Sequence, residues 1–110
     1  MEITLHDSGD VKIVRLDGMI DGVTVTTVES TLMQLLSEGT DKMLLNFEKL
    51  SYINSIGLRV VLVVAKQLKK SEGQLRICSL TDPVREVFDI TGFSTILNVV
   101  ESEEKALQDF

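Results

Sequence analysis

Residues 43–70 of this chain read MLLNFEKLSYINSIGLRVVLVVAKQLKK. The apolar start predicts a buried strand, the polar residues Glu48 to Ser51 predict a loop, and Tyr52 to Gly57 lead into a helix. The run Val60 to Val64 alone would suggest another strand, but the segment's length and one apolar stripe favour a long helix. That stripe consists of Leu58, Val61, Leu62, Ala65 and Leu68. The pattern therefore places Ser55 at a helix start.

Two polar side chains are candidates for capping this helix. The oxygen of Asn54 or of Ser55 can accept from the free N–H groups of the first turn, which Gly57 keeps free of bulk. A hydroxyl at this place is accessible and lies in the positive potential of the helix N-terminus. Capping alone, worth about 1 kcal/mol, would account for a serine here. The residues leave open whether Ser55 is structural or functional.

The outward face of the same helix favours a functional role. Helical periodicity places five residues opposite the apolar stripe, and three of them are apolar. These five are Ile56, Arg59, Val60, Val63 and Gln67. Exposed apolar residues beside Ser55 would indicate a partner-binding surface, unless another helix covers them.

The rest of the N-terminal half alternates strands and helices. Ile3 and Leu5 alternate with polar residues, and turn residues 8–10 separate them from a second strand, 11–16, with apolar residues on both faces. A helix is predicted after Thr24, its expected N-cap, and it ends at Gly39.

The C-terminal half continues the alternation. Strands are predicted at residues 75–80 and 96–100, with a helix between them that has Asp82 as N-cap and ends at Gly92. Ser102 should cap a terminal helix, docked by Leu107 and Phe110. The predicted order is ββαβαβαβα, an α/β fold with a mixed sheet of about five strands and about four helices.

Composition narrows the class of protein. With 110 residues, the chain should form one domain, residues 1–110, and its formal net charge of −6 argues against nucleic acid as a partner. It contains no basic and apolar leader and no run of about 20 apolar residues, so we expect a cytoplasmic protein without membrane contact.

Few residues suit catalysis or metal binding. His6 is the only histidine and Cys78 the only cysteine, and Cys78 lies in an apolar strand pattern typical of a buried, inert thiol. The glycines form neither a Walker loop nor a dinucleotide fingerprint. We therefore expect no catalytic residue, no metal and no cofactor.

The segment FEKLSYINSIGL, residues 47–58, resembles the signature D-S-S-G-L or D-S-T-G-L of STAS domains in bacterial anti-sigma factor antagonists. An earlier motif of that family, L-x-G-x-hydrophobic-D, is similar to residues 16–21. Its later strand and helix are similar to the region of Cys78, Val84, Phe88, Gly92 and Phe93. The resemblance covers nearly the whole chain and implies a STAS-like fold.

The resemblance also implies a mechanism. In the family, the serine after the aspartate is phosphorylated by an anti-sigma factor that is itself a kinase, and this position falls on Ser55. Asn54 replaces the aspartate, and Ile56 replaces the second hydroxyl residue. Unphosphorylated, the chain would bind the kinase and free the sigma factor; phosphorylated, it would release the kinase until a serine phosphatase resets it. The expected partner-binding residues are Asp21, Asn54, Ile56, Gly57, Arg59, Val60 and Val63.

Three alternatives remain at this stage. The domain could be a nucleotide or small-ligand sensor, which also occurs among STAS domains, or a subunit of a signalling assembly in which Ser55 is never phosphorylated. A hydrolase with Ser55 as nucleophile is disfavoured because no partner base is recognisable.

Asp21, if it lies near Ser55, would repel a phosphate and could orient the free hydroxyl. We expect a monomer.

Overall fold

The computed structural model describes all residues from Met1 to Phe110 and contains five strands and five helices. The strands are β1 (Glu2–Ser8), β2 (Val11–Ile20), β3 (Lys42–Ile53), β4 (Gln74–Cys78) and β5 (Asn98–Val100). The helices are α1 (Val25–Ser37), α2 (Ser55–Lys70), α3 (Asp82–Thr91), α4 (Phe93–Ile96) and α5 (Glu103–Ala106). The order confirms the predicted α/β alternation, with the short α4 as one additional helix.

The strands form one mixed sheet in the order β1-β2-β3-β4-β5. β1 pairs antiparallel with β2, as predicted for the hairpin, and the remaining neighbours pair in parallel. Because β2 and β3 run in the same direction, their carboxyl ends lie at one edge of the sheet.

Both faces of the sheet are covered. On one face, a cluster of 22 buried residues joins β2, β3 and β4 to helices α1, α2 and α3. On the other face, Val11, Ile13, Leu44 and Cys78 pack with Ala106 of α5. The prediction that β2 is buried on both sides is therefore confirmed, and burial raises the pKa of the Cys78 thiol.

The short helix α5 is held on the sheet by polar contacts. Arg15 donates from Nε and Nη2 to the two carboxylate oxygens of Glu103, at 3.1 and 2.9 Å, and Asn46 donates to the same carboxylate at 3.1 Å. The hydrogen bond from Arg15 is the main cause that lowers the pKa of Glu103. This network connects the end of the chain to the centre of the sheet.

Arg76 holds the residues after α5. Its guanidinium donates to the carbonyl oxygens of Ala106, Gln108 and Asp109, and lies 4.5 Å from the ring centroid of Phe110. Leu107 and Phe110 pack against the smaller core cluster, which confirms the predicted docking of the terminal helix.

Several predicted boundaries were wrong. Residues 48–51 are not a loop: β3 continues to Ile53, because Leu50 and Ile53 are buried and the strand pairs with β2 beyond two irregularities in register. Thr81 rather than Asp82 occupies the N-cap of α3, and its hydroxyl donates instead to the carbonyl of Leu50 at 2.7 Å. The two C-terminal strands are shorter than predicted.

Candidate functional site

The carboxyl ends of β2 and β3 meet where α2 begins. Ile20 and Ile53 are paired in the sheet, and the backbone N–H of Asn54 donates to the carbonyl of Ile20 at 2.9 Å. The chain leaves β2 at Asp21 and enters α2 at Ser55. The fold therefore brings the two predicted site segments to the same edge of the sheet.

Asn54, not Ser55, caps α2. The Asn54 side-chain oxygen accepts from the backbone N–H of Gly57 at 2.7 Å. Ser55 is the first residue of the helix and is exposed, and its hydroxyl takes no part in the hydrogen bonds of the structure. Capping therefore does not account for the serine at this position.

Gly57 allows the helix to begin close to the sheet. A Cβ atom placed on Gly57 would lie 2.7 Å from Cγ2 of Ile20 and 2.9 Å from Cγ1 of Ile53, and both of these side chains are buried. Such distances are too short for carbon atoms. The absence of a side chain at residue 57 thus allows the first turn, which carries Ser55, to lie this close to the sheet.

Asp21 stabilises the turn before α1. Its Oδ1 accepts from the backbone N–H groups of Val23 and Thr24 at 2.9 and 3.0 Å, and these bonds lower the pKa of the carboxyl. Thr24 lies at the N-cap position as predicted, but its hydroxyl donates to the carbonyl of Met19 and does not cap the helix. The structure contains no hydrogen bond from the Ser55 hydroxyl to the Asp21 carboxylate, so the suggested orienting role is absent in this state.

The outward face of α2 differs from the prediction at one position. Ile56 is 51% exposed and Val63 is 37% exposed, as expected of a partner surface, and Arg59 is exposed beside them. Val60 is only 4% exposed. It belongs to the main core cluster that includes α1, which packs alongside α2.

The α2 residues that face the core also differ from those predicted. Leu62 and Ala65, predicted in the apolar stripe, are half-buried. The stripe observed in the core consists of Leu58, Val60, Val61, Val64 and Leu68. A helix flanked by α1 as well as the sheet buries a wider sector than a helix on a sheet alone, and this accounts for Val60.

Three exposed apolar residues at the same edge were not predicted from the sequence. Met19 and Tyr52 are neighbours in the β2 and β3 register, and Val23, in the turn after β2, is 86% exposed. Met19 and Tyr52 immediately precede the buried Ile20 and Ile53. That alternation with core residues was the available signal, because adjacent strand residues point to opposite faces.

Replacing Asn54 tests the cap directly. Asn54→Ala is expected to lower the free energy of unfolding by about 1 kcal/mol, because the N–H of Gly57 loses its acceptor. Asn54→Asp should match or slightly exceed the wild type, since a carboxylate also accepts this bond and is favoured at a helix N-terminus. Urea unfolding followed by circular dichroism measures both; equal loss in the two variants would contradict the capping role.

Comparison with known proteins places the chain in a family. A model of the STAS domain matches residues 2–106. The candidate anti-sigma factor antagonist BtrV of Bordetella bronchiseptica is 38% identical over 110 residues, which cover 100% of this chain and 95% of that protein. The anti-sigma-B factor antagonist of Staphylococcus epidermidis is 31% identical over 104 residues, 94% of each chain.

A solved structure supports the same placement at the level of fold. SpoIIAA from Bacillus in its phosphorylated form superposes with a TM-score of 0.74, at 23% identity over 96% of each chain.

No helix of the present chain is both long and apolar enough to cross a bilayer, and no group of three or more His, Cys, Asp or Glu side chains is placed to hold a metal ion. The chain belongs to the STAS domain family, and its relatives include anti-sigma factor antagonists.

Proposed function

We propose that this protein is an anti-sigma factor antagonist that is switched by phosphorylation of Ser55. Unphosphorylated, it binds an anti-sigma factor kinase and thereby frees the sigma factor; phosphorylated, it releases the kinase. The observation that carries the proposal is the exposed hydroxyl of Ser55, left without a structural task because Asn54 caps the helix. The solved phosphorylated form of SpoIIAA, a protein of the same fold, supports the idea.

The fold should tolerate the phosphate. The Ser55 hydroxyl makes no hydrogen bond that phosphorylation would break, and the start of a helix favours negative charge. A phosphate adds about −1.5 to −2 charges. The phosphorylated domain should therefore keep its structure.

The same charge opposes docking. Ile56 and Val63 lie exposed on the helix that begins with Ser55, and a partner that covers them must also cover residue 55. A phosphate there would have to lose its hydration in an apolar contact, which is unfavourable. Phosphorylation thus weakens association without unfolding the protein.

In this proposal the domain is a binding module rather than an enzyme. It acts in the cytoplasm, and a serine phosphatase returns Ser55 to its free state. His6, the only histidine, is paired with Ile13, towards the end of β2 opposite to Ile20. No histidine is therefore available beside Ser55 to activate it as a nucleophile.

A small-ligand sensor is less well supported by the surface. The depression between β1, β2 and β3, lined by polar residues and Leu16, has a volume of about 100 Å³, whereas pockets for drug-sized molecules usually measure about 300–1,000 Å³. The depression of about 390 Å³ between Leu5 and α1 is shallow and open to solvent, whereas such pockets enclose most of their ligand. The exposed apolar residues at the start of α2 suit a protein surface better.

Phosphate transfer provides the test. With the anti-sigma factor kinase and labelled ATP, the wild type and Ser30→Ala, a control that removes an exposed serine of α1, should both be labelled. Ser55→Ala should take up no label, while its free energy of unfolding stays within about 0.5 kcal/mol of the wild type. Label on the Ser55→Ala protein would contradict the proposal.

Binding measurements extend the same test. Ser55→Asp should reduce the affinity for the kinase by about tenfold or more, because a charge must be desolvated at the interface. Calorimetric titration against the kinase measures this. Unchanged affinity of Ser55→Asp would remove the proposed link between charge at residue 55 and release.

A further inference from the structure

Helix α2 has the opposite charge to the rest of the protein. Its residues, Ser55–Lys70, include four of the chain's 11 basic residues and no acidic residue, although the formal net charge of the chain is −6. Helix C-termini favour basic residues, which accounts for Lys69 and Lys70. It does not account for Arg59 in the second turn or for the absence of any acidic residue in the first.

Three of the four cations lie on one line along the exposed side of the helix. Starting from Ser55, steps of three or four residues lead to Arg59, Val63, Lys66 and Lys70, all of them exposed. Residues at such spacing are neighbours on a helix surface. We call Arg59, Lys66 and Lys70 the basic stripe. At 1.5 Å per residue, it extends about 22 Å from Ser55.

The basic stripe has no partner within the protein. The four ion pairs of the structure use Lys12, Arg15, Lys42 and Lys105, none of which belongs to α2. The helix itself offers no acidic residue at a neighbouring position. The positive charge of the stripe is therefore directed to solvent and is available to another molecule.

We propose that the basic stripe docks on an acidic surface of a protein partner. This rests on the proposed function and specifies its partner: the surface of the anti-sigma factor that meets α2 carries Asp or Glu residues opposite Arg59, Lys66 and Lys70. Val63, exposed between the cations, adds an apolar contact. Complementary charge of this kind raises the rate of association and sets the orientation of the complex.

A protein fits the stripe better than a nucleic acid or an anionic membrane does. A long polyanion or a charged bilayer extends beyond one helix and would meet other parts of the protein, where all 17 acidic residues of the chain lie. Charges in physiological salt interact over about 8 Å. A compact acidic patch on a protein that docks on α2 would therefore interact mainly with the basic stripe.

The stripe also explains how a phosphate on Ser55 would affect partner binding beyond the atoms that it contacts directly. Ser55 and Arg59 are four residues apart on one helix face, where oppositely charged side chains attract each other. A phosphate would pair with Arg59 and neutralise the first cation of the stripe, and it would repel the acidic partner as well. Phosphorylation then opposes both the apolar and the electrostatic part of the docking surface.

Charge reversal on two faces of the molecule tests the proposal. Lys66→Glu/Lys70→Glu reverses two charges of the stripe, and the control Lys69→Glu/Arg85→Glu reverses two exposed charges outside it, with the same change in net charge and one substitution in the last turn of α2. Circular dichroism should show both variants folded. Calorimetry with the purified anti-sigma factor kinase, at about 50 mM and about 500 mM NaCl, then compares their affinities.

We expect the stripe variant to bind about tenfold or more weakly than the wild type at low salt, with a smaller difference at high salt. The control should stay within about threefold of the wild type. Equal affinities of the stripe variant and the control would overturn the acidic partner while leaving the proposed function intact. A wild type that neither binds the kinase nor accepts its phosphate would overturn the proposed function itself.

The same proteins distinguish the other polyanions. The wild type is added to vesicles of phosphatidylglycerol and to a short DNA duplex at physiological salt. Absence of binding to either supports a protein partner. Binding that the Lys66→Glu/Lys70→Glu variant loses would assign the stripe to a lipid surface or to nucleic acid instead.

Discussion

Val60→Asp is expected to unfold the domain, whereas Val63→Asp leaves it folded and weakens only its association. Val60 is 4% exposed and packs in the main core, so an aspartate there must bury a carboxylate without a partner. We expect a loss of about 4 kcal/mol or more, a large part of the stability of a small domain. Val63 is 37% exposed, and valine and aspartate have similar helix propensities, so Val63→Asp should fold.

The two variants separate stability from binding on one helix. Circular dichroism should show the native spectrum for Val63→Asp and loss of cooperative unfolding for Val60→Asp. Binding of Val63→Asp to the anti-sigma factor kinase should be about tenfold weaker, because the new charge lies in the apolar part of the contact. A folded Val60→Asp protein with weakened binding would instead place Val60 on the partner surface.

Gly57→Ala is expected to lower the free energy of unfolding by about 1–3 kcal/mol. The new methyl group would lie 2.7 Å from a carbon of Ile20 and 2.9 Å from a carbon of Ile53. Relief requires movement of two buried side chains or of the first turn of α2. Because that turn carries Ser55, the rate of phosphorylation should fall together with the stability.

Gly22→Ala is the matched control for this substitution. Gly22 lies in the turn after β2, and a Cβ atom there meets nothing within 4 Å. The control should be neutral or stabilised by up to about 1 kcal/mol, since alanine restricts the unfolded chain. Urea unfolding and initial phosphorylation rates measure both variants; equal stability of the two would show that the close approach at Gly57 has no energetic consequence.

The long elements were predictable from sequence because their apolar residues repeat with the period of a helix or a strand. Helices α1 and α2 and the hairpin β1-β2 are confirmed on this basis. The largely polar segment 48–51 misled the prediction of β3. It continues the strand because Leu50 and Ile53 are buried and the pairing with β2 resumes after register shifts near Asp17 and Gly18. Such irregularities depend on pairing between distant segments.

The candidate site was predictable in position but not in detail. Periodicity placed Ser55 at the helix start, yet whether Asn54 or Ser55 capped it depended on one side-chain orientation. Val60 was misassigned because the sequence of one helix does not show which neighbouring element covers its flank. The hydrogen bonds of Asp21 within its own turn could not be predicted from the sequence either, because a carboxylate in a turn can accept from several N–H groups.

The sheet order β1-β2-β3-β4-β5 has a consequence for assembly of the chain during synthesis. Each strand pairs with the strand that precedes it in sequence. When a strand leaves the ribosome, the strand with which it pairs has therefore already been synthesised. No strand must wait for a later segment to be inserted between itself and its neighbour. The smaller core cluster, in contrast, joins distant parts of the sequence, because Ala106 of α5 packs with Val11 and Ile13 of β2.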